Sequence, residues 1–487
     1  MANKRLSIVI IWVALALFGF HANANINSLL TTSIDVPGSQ SAKADSLVKS
    51  SFGETTEGAF SVFYEYNKKL PKTEVEVIRE KVNRAVATMP ELHVVQNRAI
   101  NGVLYANIQT PYNLQKAADL TIPLRTALKE AGLATAKVSG PPAIKHDVSP
   151  ILERDLQRGQ LVAILVALVF LFITLRSIWS MFVPIIVAIT TISTSIGIVY
   201  LLAHKMLMVL YIPNIVELIG LGLAIDYSLL MVHRFMLDGD IKKTQKTILI
   251  SGSTVAIALS TLILVPVPFI RSLGIAGVIV PLVAMAAATT LQPALLSYLG
   301  NDGIKPRFAT SKFRKLGEFV VAKPIPVLLI SLALISIPTS QIAKLQVTPS
   351  SISALPAEIE SAQAIKIVTS RAGEGIISPI QVLIHLPEAA NVNMARVKLA
   401  GQIAEHPDVF TVATDRKYVD KSGKILRIFA ISKKDLGQSQ QLISDLRALK
   451  GEFPAGTKIY IGGAPAQGYD LIHKIKSTFP FIALFAL

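Results

Sequence analysis

Gly220-Leu-Gly-Leu-Ala-Ile-Asp-Tyr-Ser-Leu-Leu-Met-Val-His-Arg234 decides how the rest of this chain is read. It is the second half of an apolar segment that runs from about Met206 and is long enough to span a bilayer. Asp226 sits near the middle. An ionised carboxylate at that depth is costly, so Asp226 is expected to be an ion or proton site facing the interior of a helix bundle. Gly222 lies four residues earlier, on the same helical face, where it would let a neighbouring helix come close. His233 is seven residues on, also on that face and about 10 Å nearer the next loop. Glu217 is about half a turn out of phase and is expected to stand apart. The bland alternative is a buried aspartate satisfied by a serine or lysine nearby.

Composition widens this to the whole chain. Of 487 residues, 51% are hydrophobic, and the mean hydropathy is +0.52, so several membrane spans are expected rather than an ordinary soluble protein. The formal charge of +16 is concentrated in short segments flanking the apolar runs: Lys4, Arg5, Arg176, Arg234, Lys242, Lys243, Lys246, Lys305, Arg307, Lys312, Arg314, Lys315 and Lys323. All fall on one side if the chain crosses at each run, while the opposite short loops hold Lys205 and Arg271. That asymmetry predicts a cytoplasmic N-terminus and a multi-pass protein of the cell (inner) membrane. With no cysteine, disulfides, thiolate metal sites and cysteine nucleophiles are excluded.

Gly222, Asp226, Tyr227 and Ser228, followed by Val232-His-Arg-Phe235, make a pattern similar to the fourth transmembrane helix of the MMPL family. That family belongs to the resistance–nodulation–division (RND) superfamily of proton-driven exporters. Val36-Pro-Gly-Ser-Gln-Ser-Ala-Lys-Ala44 and Asp155-Leu-Gln-Arg-Gly159 also resemble MMPL sequences. The resemblance implies a proton relay at Asp226 and Tyr227. Gly222, Ser228, His233 and Thr254 would support it, Thr254 as a donor from the adjacent helix that opens Ser251-Gly-Ser-Thr-Val-Ala256. Members usually have an apolar residue where this chain has Gln292.

The expected fold is a polytopic α-helical membrane protein with two extracytoplasmic α+β domains of ferredoxin-like, porter type. Residues 1–24 form a first transmembrane helix, retained although Ala22-Asn-Ala24 resembles a signal-peptidase site. Residues 25–157 form the first outer domain, with strands and helices in β-α-β-β-α-β order: strands near 58–67, 92–97, 102–109 and 135–138, helices over 73–88 and 114–131. Helices two to six occupy 158–300, a cytoplasmic basic loop 301–324, and a seventh helix 325–343. A second outer domain covers 344–477, and an eighth helix starts at 478–487.

The second domain reads as a repeat of the first. Pro37-x3-Ser41-Ala-x-Ala44 returns as Pro356-x4-Ser361-Ala-x-Ala364, and Ser139-Gly-Pro-Pro-Ala143 as Gly462-Gly-Ala-Pro-Ala466. Internal duplication is common in transporters. By the repeat, four more helices would follow the eighth, the tenth carrying a second Asp-Tyr pair, so the chain is read either as a truncated exporter or as one part of a split exporter in which a second chain supplies helices 8–12.

No phosphate-binding loop, zinc-protease helix or nucleophile elbow is present in the sequence, so neither an enzyme nor a cofactor is expected. Basic residues are not interleaved with stacking aromatics, which argues against nucleic acid. The functions left are a proton-coupled exporter of lipids or amphipathic molecules acting in the lipid bilayer, a lipid-sensing or scaffolding protein of the same fold, and an inert fragment.

Overall fold

The computed structural model describes residues 2–31, 35–54, 58–100, 102–175, 178–238, 241–299, 310–340, 355–372, 375, 378–387, 392–434, 438–449 and 456–486. Helix α1 (Ala2–Asn25) leads through a short turn into β1 (Leu30–Thr31). The first polar segment then holds α2 (Gln40–Phe52), β2 (Ala59–Glu65), α3 (Lys72–Ala87), β3 (His93–Ile100), β4 (Val103–Gln109), α4 (Leu114–Asp119), α5 (Thr121–Glu130) and β5 (Lys137–Ser139). The single helix expected over 114–131 is broken at Leu120. Pro123 cannot donate a backbone hydrogen bond, so it is tolerated only in the first turn of a new helix.

Next come α6 (Pro141–Leu175), α7 (Ile178–Ala203), β6 (Met208–Val209), α8 (Ile212–Asp238), α9 (Lys242–Ser260), α10 (Pro268–Ala286) and α11 (Gln292–Leu299). The apolar run from Met206 is therefore two elements: β6 pairs in parallel with β1, Leu30 opposite Met208, and the helix begins only at Ile212. Among the described residues, six helices are long and apolar enough to cross a membrane. The 301–324 stretch, expected as a loop, contains α12 (Thr310–Ala322), with 301–309 outside the described residues. Phe313, Leu316, Phe319 and Val320 recur three and four apart, which favours an amphipathic helix over a loop. The seventh run is described as α13 (Pro324–Ser340), 17 residues with none buried. That falls short of the roughly 20 residues a span needs, and 341–343 lie outside the described residues.

The second polar segment supplies α14 (Glu360–Ala372), β7 (Ile380–His385), α15 (Val392–Ala404), β8 (Val409–Ala413), β9 (Ile425–Ser432), α16 (Gln440–Arg447) and β10 (Lys458–Gly462), and α17 (Ala464–Ala486) follows. Each polar segment builds a four-stranded antiparallel sheet, in the orders β3-β4-β2-β5 and β10-β7-β9-β8. Position for position these are one topology read from opposite edges. Both sheets carry a register shift in the corresponding pair, at Val94/Gln96 and at Val409/Thr411. One face of the first sheet is covered by α3, α4 and α5 over Phe60, Val62, Leu104 and Ile108. The second is covered likewise by α15 and α16 over Val382, Ile384 and Ile428.

The other faces are covered by exchange. Helix α2, from the first segment, packs Ala44 and Val48 onto Leu383 and Ile425 of the second sheet. Helix α14, from the second segment, packs Ala364 and Val368 onto Phe63, Val103 and Tyr105 of the first. Matching polar clamps hold both exchanges. Asp147, on α6, accepts two hydrogen bonds from Arg125 at 2.8 Å each and one from the Ser361 backbone N–H at 3.0 Å. Asp470, on α17, accepts from Arg447 at 2.6 and 2.9 Å, from the Ser41 N–H at 3.1 Å and from its hydroxyl at 2.6 Å. Each carboxylate thus sits at the N-terminal turn of the exchanged helix, where orphan N–H groups and the helix dipole favour negative charge. A buried ion pair adds to this: Arg427, 2% exposed, binds Glu54 in a bidentate fork and lies over the rings of Phe52 and Phe429.

The repeated glycine motifs are now explained. Gly140 and Gly463 end β5 and β10 with φ of +100° and +85°, and so turn each strand into the long helix that follows. A Cβ would lie 2.3 Å from the Ala59 carbonyl oxygen at the first and 2.6 Å from the Pro379 carbonyl oxygen at the second. No other residue fits both constraints. Helix α6 consequently runs unbroken from the first sheet into the apolar bundle, so Asp147 is a rigid outgrowth of a bundle helix.

Candidate functional site

Helix α8 presents two opposite faces. Tyr227, Ser228, Met231 and Ala224 are buried against the bundle, among α7, α9, α10 and the π-helical turn Ala287–Leu291. Leu218, Gly222, Asp226 and Leu230, four residues apart in turn, are all exposed. Asp226 was expected to face the bundle interior; it lies instead on the open side of α8. Every residue around it is apolar or small, so the sequence pattern could not say which side of the helix is covered. Gly222 also differs from expectation. A Cβ there would meet nothing within 4 Å, so among the described residues it admits no neighbouring helix.

The close approaches occur at other glycines. A Cβ on Gly252 of α9 would come 2.3 Å from the Met285 sulfur and 3.2 Å from the Tyr227 hydroxyl, and one on Gly220 would come 2.9 Å from Ile192. Gly252 therefore makes the space in which the Tyr227 ring sits, its hydroxyl beside Ser251. Thr254, expected as the supporting donor from α9, is exposed and donates to the Ile250 carbonyl at 2.9 Å. Ser251, nearly one turn earlier on α9, is the hydroxyl residue that lies beside Tyr227. His233 is half-buried, two turns from Asp226 toward the far end of α8.

Ser228 is fully buried and its hydroxyl has no hydrogen-bond partner among the described residues; its backbone carbonyl accepts from the Gln292 amide at 2.8 Å. Gln292 is itself fully buried, its own carbonyl oxygen without a partner among the described residues. The π-helical turn just before it frees a backbone carbonyl that a neighbour recovers, Gln245 donating to the Thr289 carbonyl at 3.0 Å; Trp12 of α1 donates to the Thr290 hydroxyl at 3.0 Å. Such turns recur at functional positions in helices. Sequence reasoning noted Gln292 only as a departure from the family pattern. An amide in so apolar a run was the available signal that something polar faced it.

The six-helix unit thus carries a carboxylate on an open, glycine-lined helix face. Directly behind it lies a buried layer of tyrosine, serine and glutamine. The carboxylate is reachable without unpacking the bundle, whereas the layer behind joins α8 to α9 and α11. Among the described residues, no three histidine, aspartate or glutamate side chains are grouped to hold a metal ion.

The MMPL family model matches residues 103–327, from β4 to the start of α13. Over all of this chain and 71% of its own length, the putative membrane protein SCO6666 of Streptomyces coelicolor is 23% identical. The mycolic acid-containing lipids exporter MmpL11 of Mycolicibacterium smegmatis is 21% identical over 70% of this chain. The trehalose monomycolate exporter MmpL3 of Mycobacterium tuberculosis is 24% identical over 72% of it. This chain spans only 38% and 43% of those two proteins. The family match over residues 103–327, the apolar helices and these relatives together identify a multi-pass membrane protein similar to members of the MMPL family.

Proposed function

We propose that the chain is part of a proton-driven exporter of lipids or other amphipathic molecules in the cell (inner) membrane. The two exchanged α/β units act outside the cytoplasm as porter-type domains, and Asp226 is the group that takes the proton. One observation carries this reading: the carboxylate stands in an apolar span on a face of α8 left open by the six-helix unit. A charge there has few reasons to be kept other than ion or proton passage. The open line Leu218–Gly222–Asp226–Leu230 suits a further set of helices closing over the carboxylate. The names of MmpL3 and MmpL11 give the substrate class its support.

Protonation of Asp226 removes a charge from the helix interface and so favours one of two packings of α8 on what covers it. An equilibrium shifts only by the difference in affinity between its states, and a carboxylate moving between wet and dry surroundings supplies one. Helix α6 and the clamp at Asp147 then carry bundle motion to the exchanged domains.

The test is gradient-driven movement of a fluorescent acyl lipid in membrane vesicles carrying the chain, alone and with any chain supplying helices 8–12. Asp226→Asn mimics the protonated side chain and should abolish the protonophore-sensitive part while leaving the yield of folded protein unchanged. Wild-type transport with wild-type pH dependence in that variant would refute the proposal.

A further inference from the structure

A slot lies between α6 and the packed group α1, α7 and α8, and Leu218, which lines it, stands about two turns from Asp226 on α8. Its origin is a difference in spacing. Helices α1 and α7 touch backbone to backbone, since a Cβ on Gly19 would lie 1.9 Å from the Ser193 carbonyl oxygen. Helix α6 stands away from them and is joined to α8 here by a hydrogen bond from the Gln160 amide to the Glu217 carboxylate. The space between has a volume of about 230 Å³. Ligand pockets for whole small molecules run from roughly 300 to 1,000 Å³, so this one accommodates a chain rather than a complete lipid.

Polarity is graded along the slot. Asn23, Gln160 and Glu217 gather at the end nearest the sheets, and Glu217 is the only ionisable group among the residues lining it. Beyond them the walls are Ile164, Ile189, Ile192 and Leu221. The lining residues of α7 run from Ile196 to Ile189, about 10 Å along the helix axis. Ile164 and Ile189 are 41% and 48% exposed, so the slot is open on the side that lipid would occupy. A polar rim of two amides and one carboxylate, above an apolar groove of chain width, describes a particular occupant.

We propose that this slot binds the acyl chain of a membrane amphiphile whose head donates hydrogen bonds to Glu217, an ammonium or a hydroxyl, and that it is where lipid first engages the exporter. The second part rests on the exporter reading above; the first does not. Gln160 holds the carboxylate in place, and the head docks against it while the chain lies along Ile164 and Ile189. A fatty acid, whose carboxylate would meet that of Glu217, is rejected by like-charge repulsion.

The experiment uses the full chain in nanodiscs with three probes of one chain length, each with a diazirine near the chain end: a long-chain amine, the alcohol and the acid. Amine and alcohol should crosslink to peptides around Ile164 and Ile189, and the acid at least tenfold less. Glu217→Gln should bring the acid within a few-fold of the amine. Ala163→Phe, which fills the slot from the loosely packed helix α6, should abolish labelling by all three while labelling of α13 stays constant as an internal standard. Labelling spread evenly over apolar surfaces and unchanged by Ala163→Phe would overturn the slot, as would equal labelling by amine and acid in the parent. Vesicle transport separates the two readings. Slot labelling with normal transport by Ala163→Phe would overturn the engagement role alone, whereas loss of transport in Asp226→Asn with intact labelling would support the proton reading independently.

Discussion

Glu54→Gln tests how the exchanged helix α2 is held. Glu54 follows α2 and is 6% exposed; its partner Arg427, on β9, is 2% exposed, so the substitution leaves a guanidinium buried with no counter-charge. Removing one partner of a buried ion pair costs about 3–5 kcal/mol, because the remaining charge has no compensation. Since the natural chain has no cysteine, Val48→Cys, at a position on α2 that is 3% exposed, makes a silent reporter. It reacts with a maleimide only when α2 lifts off the second sheet. In this background Glu54→Gln should raise the labelling rate roughly 10²- to 4 × 10³-fold, as 1.4 kcal/mol is a factor of ten. The double variant Glu54→Gln/Arg427→Met should recover most of the protection, since it leaves no charge and keeps a chain packed on the rings of Phe52 and Phe429. Acid should act like the substitution. Burial pushes the Glu54 carboxyl up, but hydrogen bonds from His93 and Arg427 more than reverse this and hold it below its ordinary 4.5. A depressed carboxylate contributes its stability above the ordinary value and loses it as the pH falls through the lowered one. Pepsin cleavage within α2 should therefore begin only well below pH 4.5. Parent-like labelling in Glu54→Gln would show that the ion pair does not hold the exchange.

Further outcomes are expected elsewhere. Burial raises the Asp147 carboxyl, but hydrogen bonds from Arg125, His146 and Ser361 bring it to about 2; its clamp should hold fully above about pH 4 and fail between 4 and 2. Asp147→Asn, losing hydrogen bonds to a charged group worth about 1.5–3 kcal/mol, should raise labelling of Val368→Cys on α14 roughly 10- to 150-fold. Gly140→Ala and Gly463→Ala each meet a left-handed backbone cost of about 1–2 kcal/mol plus a carbonyl clash, and should lower the monodisperse yield on size exclusion in detergent. Gly252→Ala should do the same by displacing Tyr227 and Met285, while Gly222→Ala should behave as the parent does; the reverse order would restore the interface first expected at Gly222. Gln292→Leu removes the brace on the Ser228 carbonyl and should cost about 0.6 kcal/mol, and at most roughly 2, as a small drop in the temperature at which the monodisperse peak is lost.

The sequence by itself determined the class of this protein, and it did so through long-range averages and one local anomaly. Runs of apolar residues long enough to cross a bilayer show in any window. An aspartate in such a run is costly enough to stand out, which is why Asp226 and the MMPL resemblance were legible from the chain alone. The sheet elements were readable too, because alternation and helical spacing are properties of a few neighbouring residues. Tertiary structure alone decided which face of each helix is covered. On α8 almost every residue is apolar or small, so no hydrophobic stripe marks the packed side, and Asp226 and Gly222 proved to face outward while Gly252 and Ser251 met Tyr227. It alone revealed the exchange of α2 and α14, since Ser41 finds Asp470, and Ser361 finds Asp147, across more than two hundred residues of chain. Local patterning records how a segment is buried. It does not record against what, because an apolar surface gains the same free energy from any well-fitting neighbour.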